Sequence, residues 1–198
     1  MRTLAPRAVL ALLMTLLLPA PSAQGRVYMT QRQALEQAFP QPAQVSRRTL
    51  YLDADQVHRV ATEAGAPVEN RVVAYYIGTR DGKPAGCAYF DTHLVRTLPE
   101  TIMVVVAPDG RIERIDILSF EEPEDYLPNR RWLQQFPGRL LDDDLSLKQG
   151  IHPLAGATLS ARAITQAVRR VLALHRLFVA PSSTGAGGAG REPGGAQR

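Results

Sequence analysis

Residues 100–120 read ETIMVVVAPDGRIERIDILSF, and the fold turns on how this run is read. Ile102–Val106 is continuously apolar, the pattern of a strand buried on both faces. Pro108-Asp109-Gly110 supplies a turn, since Pro presets φ and Gly accepts a positive one. Beyond the turn Ile115 and Ile117 alternate as in a half-buried strand, whereas Ile112 is out of phase with them. A hairpin with a bulge between Ile112 and Ile115 is therefore expected. Upstream, NRVVAYYIG (70–78) and AGCAYFD (85–91) are two more β-rich runs, joined through an Asp-Gly turn in TRDGKP (79–84). QVSRRTLYL (44–52) adds a strand before them.

Helix signals surround these strands. TQRQALEQAF (30–39) opens on a cap-capable Thr30, carries Gln33 at the third helical position and stops before Pro40. DADQVHRVATEAGAP (53–67) has Asp53 as N-cap and ends at Gly65 and Pro67. LPNRRWLQQFPG (127–138) reads as a short helix ended by Pro137-Gly138. In the last helix Ile164, Ala167, Val168, Val171 and Leu172 form one apolar stripe. Arg162, Gln166, Arg169, Arg170 and Arg176 cover the opposite side, which reads as a solvated face. The order α-β-α-β-β-β-β-α-α implies the α+β class: a single domain with a central antiparallel sheet and helices packed at its ends and on one face.

The two ends of the chain read differently from the middle. Arg2 and Arg7, the apolar run Ala8–Leu18 and the small residues Ala20, Ser22 and Ala23 form a secretory signal peptide over 1–24. Its apolar run is short of the roughly 20 residues a membrane span needs. Residues 180–198 are Gly/Ala-rich with little to bury, so a disordered tail is expected after a globular domain over 25–179. The whole chain carries a net charge of +4. Without Arg2, Arg7, Arg191, Arg198 and Glu192, the domain holds nineteen basic against eighteen acidic residues and is nearly neutral. No clustered basic face is visible, so nucleic acid is not an expected partner. The acidic runs FEEPED (120–125) and LDDDL (141–145) lack the spaced oxygen-ligand loop of a calcium site, and no metal is expected. Cys87, the single cysteine, reads as a small buried strand residue and forms no internal disulfide. His93 reads as a satisfied structural histidine and Trp132 as a packed one, with ligand contact the alternative for each.

The segment HPLAGATLSARAIT (152–165) places Gly156-Ala157-Thr158 directly before the last helix. The first N–H groups of a helix have no intrahelical partner, lie at the positive end of its dipole and favour phosphate. A hydroxyl there can cap the helix, bind a phosphate or be esterified, and Ser160 is a second N-cap candidate. Spacing alone leaves these alternatives open.

LAGATLSARAIT resembles the flavin-attachment segment of the FMN-binding domain family. That family includes the C subunit of the sodium-translocating NADH:quinone reductase and the G subunit of the Rnf electron-transport complex. Its pattern is Asp-x-x-(Ser/Thr)-Gly-Ala-(Ser/Thr), and a flavin transferase joins the last hydroxyl to the phosphate of FMN as a phosphoester. Here that hydroxyl is Thr158, with Ala155, Gly156 and Ala157 before it and Leu159 after it, while His152 stands for the motif Asp and Ala155 for the Ser/Thr. The hairpin followed by Ser119, Glu122 and Pro123 is similar to the family's Ser-x-x-Glu-Thr-Pro-Gly stretch, without its Thr and Gly. The likeness runs from Thr101 to Leu174.

With the signal peptide placing it in the periplasm, free or membrane-associated, the resemblance implies an exported, FMN-carrying electron-transfer protein, a redox carrier or complex subunit rather than a stand-alone enzyme. It also implies Glu122 as a polar contact near the flavin, no catalytic residues of the chain's own, and a flavin transferase and redox proteins, such as a membrane electron-transport complex, as partners. The alternatives are a non-covalent FMN-binding or flavin-less accessory module, and a periplasmic interaction module in which Thr158 only starts a helix.

Overall fold

The computed structural model describes residues 26–147 and 149–180. The expected signal peptide, and all of the expected tail but its first residue, lie outside them. The described chain runs β1 (Arg26–Val27), α1 (Gln31–Ala38), β2 (Gln44–Tyr51), α2 (Ala54–Ala64), β3 (Val72–Arg80), β4 (Lys83–Leu94), β5 (Pro99–Val106), β6 (Ile112–Phe120), a 3-10 turn at Glu124–Tyr126, α3 (Arg130–Leu133), α4 (Thr158–Leu174) and a π turn at His175–Val179. The six strands make one antiparallel sheet in the order β1-β6-β5-β4-β3-β2. The α+β architecture matches the sequence reading, with β1 as an unforeseen edge strand.

Local chemistry accounts for the helix limits. Thr30 and Gln33, and likewise Asp53 and Gln56, form capping boxes in which each side chain satisfies the other's free backbone N–H. α2 ends on Gly65 in the left-handed conformation. α3 is a single turn capped by Asn129.

β5 is the middle of the core. Every residue of Ile102–Val106 is fully buried. Ile102, Val104 and Val106 face α4, joined by Tyr89, Ile115, Ile164, Val168 and Val171. Met103 and Val105 face α1, where Ala34, Phe39, Ala88 and Leu118 meet them. Thus α1 covers the second face of the sheet, while α2 packs on α4 through Val60, Ala64, Ala173 and Leu174. Each large aliphatic side chain buried here contributes about 1.5–3 kcal/mol.

The expected bulge is present: Val105 pairs with Arg114 and Val106 with Ile112, so one extra residue of β6 brings Ile112 and Ile115 to the same face. Gly78 lies where a Cβ would stand 2.3 Å from the ring of Phe39, and the β3–β4 register shifts beside it. β4 runs beyond Asp91 through Thr92, His93 and Leu94, because those residues continue the ladder with β5. Among the described residues no helix is long and apolar enough to cross a membrane.

Candidate cofactor site at the start of α4

The run leading into α4 is anchored before it reaches the glycine. The indole N–H of Trp132 donates to the carbonyl of His152 at 2.8 Å, and the His152 amide donates to Gln135 Oε1 at 2.8 Å. Arg139 holds the carbonyl of Gly150, and Ile151 is fully buried. The backbone of His152 is therefore fixed while its imidazole is exposed. Trp132 is buried against Phe136, edge to face with centroids 5.2 Å apart, so it is packed, and its role is to hold this segment.

A turn follows, closed by Ala157 N–H donating to Leu154 C=O at 3.1 Å. Gly156 occupies its third position at φ +80°, a conformation glycine adopts freely, and a Cβ built there meets nothing within 4 Å. Ala155 and Gly156 are exposed and Ala157 is buried. Ala157 is the N-cap residue and offers no side-chain hydrogen bond. The first intrahelical bond is Ala161 N–H to Ala157 C=O, so the amides of Thr158, Leu159 and Ser160 precede the helical ladder with no side-chain cap.

Thr158 is the first helical residue and is exposed, as is Leu159. Ser160 is not the cap that the sequence suggested: it sits inside the first turn, 1% exposed, and its hydroxyl donates to Tyr126 C=O at 2.7 Å. Thr165 also faces inward and donates to Ala161 C=O. Of the three hydroxyls along this part of α4, only that of Thr158 faces outward. It borders an open groove of about 600 Å³ shared with Asp143, Ser146, Arg162 and Arg169. Arg162 lies one turn after Thr158, is exposed and makes no ion pair among the described residues. Uncapped amides, an open left-handed glycine, a free hydroxyl and a nearby guanidinium are a donor set that fits a phosphate monoester.

Glu122 does not line the groove at Thr158. Its Oε1 accepts from the amides of Arg96, Thr97 and Leu98 at 3.2, 2.8 and 2.9 Å, clasping the β4–β5 turn. These bonds, that from Thr97 foremost, hold its carboxyl below the usual carboxylate range. The Ser160–Tyr126 bond ties the segment after Glu122 to α4, but the Glu122 carboxylate is turned to the β4–β5 turn. Cys87 is buried, and burial pushes its thiol up to about 11, so it is an unreactive packing residue.

A second polar group was not foreseen. His93 lies opposite Glu100 across the β4–β5 ladder, with Nε2 3.2 Å from Glu100 Oε2 and Nδ1 2.8 Å from Asp91 Oδ1. Arg170 of α4 reaches Asp91 at 2.9 Å. Glu100 is fully buried and its Oε1 has no hydrogen-bond partner. Burial raises the Glu100 carboxyl, and the His93 bond offsets this only in part. For His93 burial works downward, but the bonds to Asp91 and Glu100 outweigh it and raise the imidazole. Burial opposes the Asp91 carboxylate too, yet His93 and Arg170 hold it below its ordinary value. His93 is thus a satisfied structural histidine in a charged network, and Arg170 is not on a solvated face. Nor is Arg169, which donates to the carbonyls of Ala64, Asp142 and Leu145.

The family model of the FMN-binding domain matches residues 98–173, from the start of β5 to the last turn of α4. The matched stretch is similar to an FMN-binding domain, and FMN is the cofactor that such a domain indicates. No curated protein and no solved structure matched the chain.

Proposed function

We propose that this protein is an exported flavoprotein that carries FMN as a phosphoester on Thr158 and passes electrons between redox partners. The observation that carries the reading is the outward hydroxyl of Thr158 on the first residue of α4, beside uncapped amides and Gly156. In the attachment step Thr158 Oγ1 attacks the FMN phosphorus of a flavin dinucleotide. The Oγ1–P bond forms, the nucleoside monophosphate leaves, and the hydroxyl proton passes to the transferase. The flavin supplies the redox chemistry, and the chain supplies binding and orientation. The amides of α4 and Arg162 would hold the phosphate charge, and Trp132 and Gln135 keep the entering segment rigid. The signal-like N-terminus supports delivery to the periplasm, where membrane electron-transport proteins are the expected partners.

Intact mass of the full chain, matured in an exporting host that contains a flavin transferase, tests this. The expected mass lacks about two dozen N-terminal residues and includes one FMN ester. Thr158→Val should remove the ester and leave the fold intact. Thr158 is not the cap, so the stability change should stay under about 0.5 kcal/mol. Thr158→Ser should keep some flavin. Equal covalent flavin in Thr158→Val overturns the assignment. Flavin lost on denaturing the wild type points instead to non-covalent binding, the reading favoured by His152 and Ala155 in the motif.

A further inference from the structure

The two edges of the sheet differ. β1 is two residues long, whereas β2, at the far edge, runs for eight residues, Gln44–Tyr51. β2 pairs with β3 along its whole length on one side, and among the described residues no strand pairs with its other side. About half of its backbone N–H and C=O groups therefore point away from the sheet, as unused donors and acceptors. α1 stands beside this edge. Between helix and strand runs a groove of about 650 Å³, with Leu35, Phe39, Ala43, Val45 and Tyr76 in its walls. Val45 is exposed, as is Tyr51 at the end of the strand. The two outer strands, β2 and β3, carry Arg47, Arg48 and Arg80 and not one carboxylate. Arg47 and Arg48 are exposed at the middle of the edge, on opposite faces, and neither makes an ion pair among the described residues. The groove's own carboxylate, Glu36 of α1, is matched by Arg32 at 3.9 Å.

We propose that this edge receives an extended acidic segment of a partner protein, which adds a strand beside β2. Main-chain bonds to β2 supply the affinity, and alternate side chains supply the selection. On the α1 side the segment places an apolar residue in the groove beside Val45 and a carboxylate against Arg47. On the other face a second carboxylate meets Arg48. The paired charges steer the encounter and fix the register. A second copy of this chain does not fit. Antiparallel pairing of two β2 strands about their middle, in one continuous sheet, sets Arg47 opposite Arg47 or Arg48 opposite Arg48, and like charges directly opposite are destabilising. The chain's own end beyond residue 180 does not fit either, since it carries Arg191 and Arg198 against one acidic side chain, Glu192. Both α1 and β2 precede residues 98–173, so this inference does not depend on the FMN reading.

The probe is a fluorescein-labelled octapeptide, Val-Thr-Val-Glu-Glu-Thr-Val-Thr, titrated with the purified protein while its anisotropy is followed. It should bind, and the same peptide with two lysines in place of the glutamates should not. The double variant Arg47→Glu, Arg48→Glu should bind the acidic peptide about tenfold more weakly or worse and should accept the lysine peptide. Circular dichroism should show it folded, since both side chains are exposed. Two versions of the acidic peptide, N-methylated on alternate residues in opposite phase, test the strand itself on the wild type. One phase blocks the bonds to β2 and should abolish binding, and the other leaves them free and should bind as the parent does. Equal behaviour of the two phases overturns strand addition. Unchanged binding of the acidic peptide in the folded double variant overturns the location. No binding of the acidic peptide to the wild type overturns the proposal outright, and phosphatidylglycerol vesicles that bind the wild type but not the double variant would then assign the edge to lipid.

Discussion

Arg162, near the start of α4, and Arg169 and Arg170, in its second half, carry the same guanidinium and meet different surroundings. Arg162 is exposed beside uncapped amides and the outward Thr158, with no carboxylate holding it among the described residues. Arg169 serves three backbone carbonyls and Arg170 a half-buried aspartate. The second half of the helix spends its polar groups on internal partners, while the first half leaves amides, a hydroxyl and a cation unclaimed. Unclaimed polar groups on a well-anchored frame are what a ligand site requires, and saturated ones are what a scaffold requires.

The largest effect should come from breaking the saturated end. Asp91→Ala leaves Arg170 and His93 without their shared acceptor, and removing one member of this half-buried charge pair costs up to about 3 kcal/mol. The folded carboxyl of Asp91 lies below its ordinary 3.8, so its contribution is fully present above that value and is lost as pH falls through the folded value. Chemical denaturation should therefore show the gap between wild type and Asp91→Ala complete at neutral pH and narrowing below pH 3.8. A pH-independent gap would mean that packing, not charge, is the cause.

A paired substitution sharpens the contrast within one helix face. Arg169→Met should cost about 2 kcal/mol, since it strands carbonyls that a charged donor serves, whereas Arg162→Met should stay within about 0.5 kcal/mol. Equal losses by thermal unfolding would erase the distinction between the two halves. The flavin readout should run the other way, with Arg162→Met lowering FMN attachment and Arg169→Met sparing it wherever the protein is folded.

A smaller loss than that of Arg169→Met tests the first turn. Ser160→Ala removes one hydrogen bond to Tyr126 and should cost about 1 kcal/mol, with covalent flavin unchanged by intact mass. Loss of flavin in that variant would place the attachment on the inward hydroxyl and contradict the orientation seen here.

What was legible in the sequence was local. Thr30 with Gln33, Asp53 with Gln56, and Gly65 announce helix ends because the partners of a cap lie within one turn. The bulge at β6 was legible from the phase of Ile112 against Ile115 and Ile117. The Gly156-Ala157-Thr158 start was found, but which hydroxyl faces outward was not. The inward turn of Ser160 depends on Tyr126, 34 residues away. Likewise the link from Asp91 to Arg170 crosses 79 residues, and that from His93 to Glu100 depends on strand register. The charge pattern of α4 suggested a solvated face because periodicity reports polarity and not the carbonyls or carboxylates that neighbouring elements bring to it. β3 and β4 pair only as far as Tyr75 and Tyr89, and this parting left no mark in composition, since both strands keep their β-rich pattern past it.

The sheet order has a consequence for folding autonomy. The stretch that matches the FMN-binding domain begins at β5, yet β5 is an interior strand whose partner β4 lies before it in the chain. Cut out alone, residues 98–173 would present the wholly apolar Ile102–Val106 as a bare sheet edge, and Met103 and Val105 would lose α1 as well. An exposed edge of that kind templates further strands. The fragment would precipitate or polymerise rather than bind flavin, so the cofactor segment depends on the β2–β4 half of the sheet for its solubility.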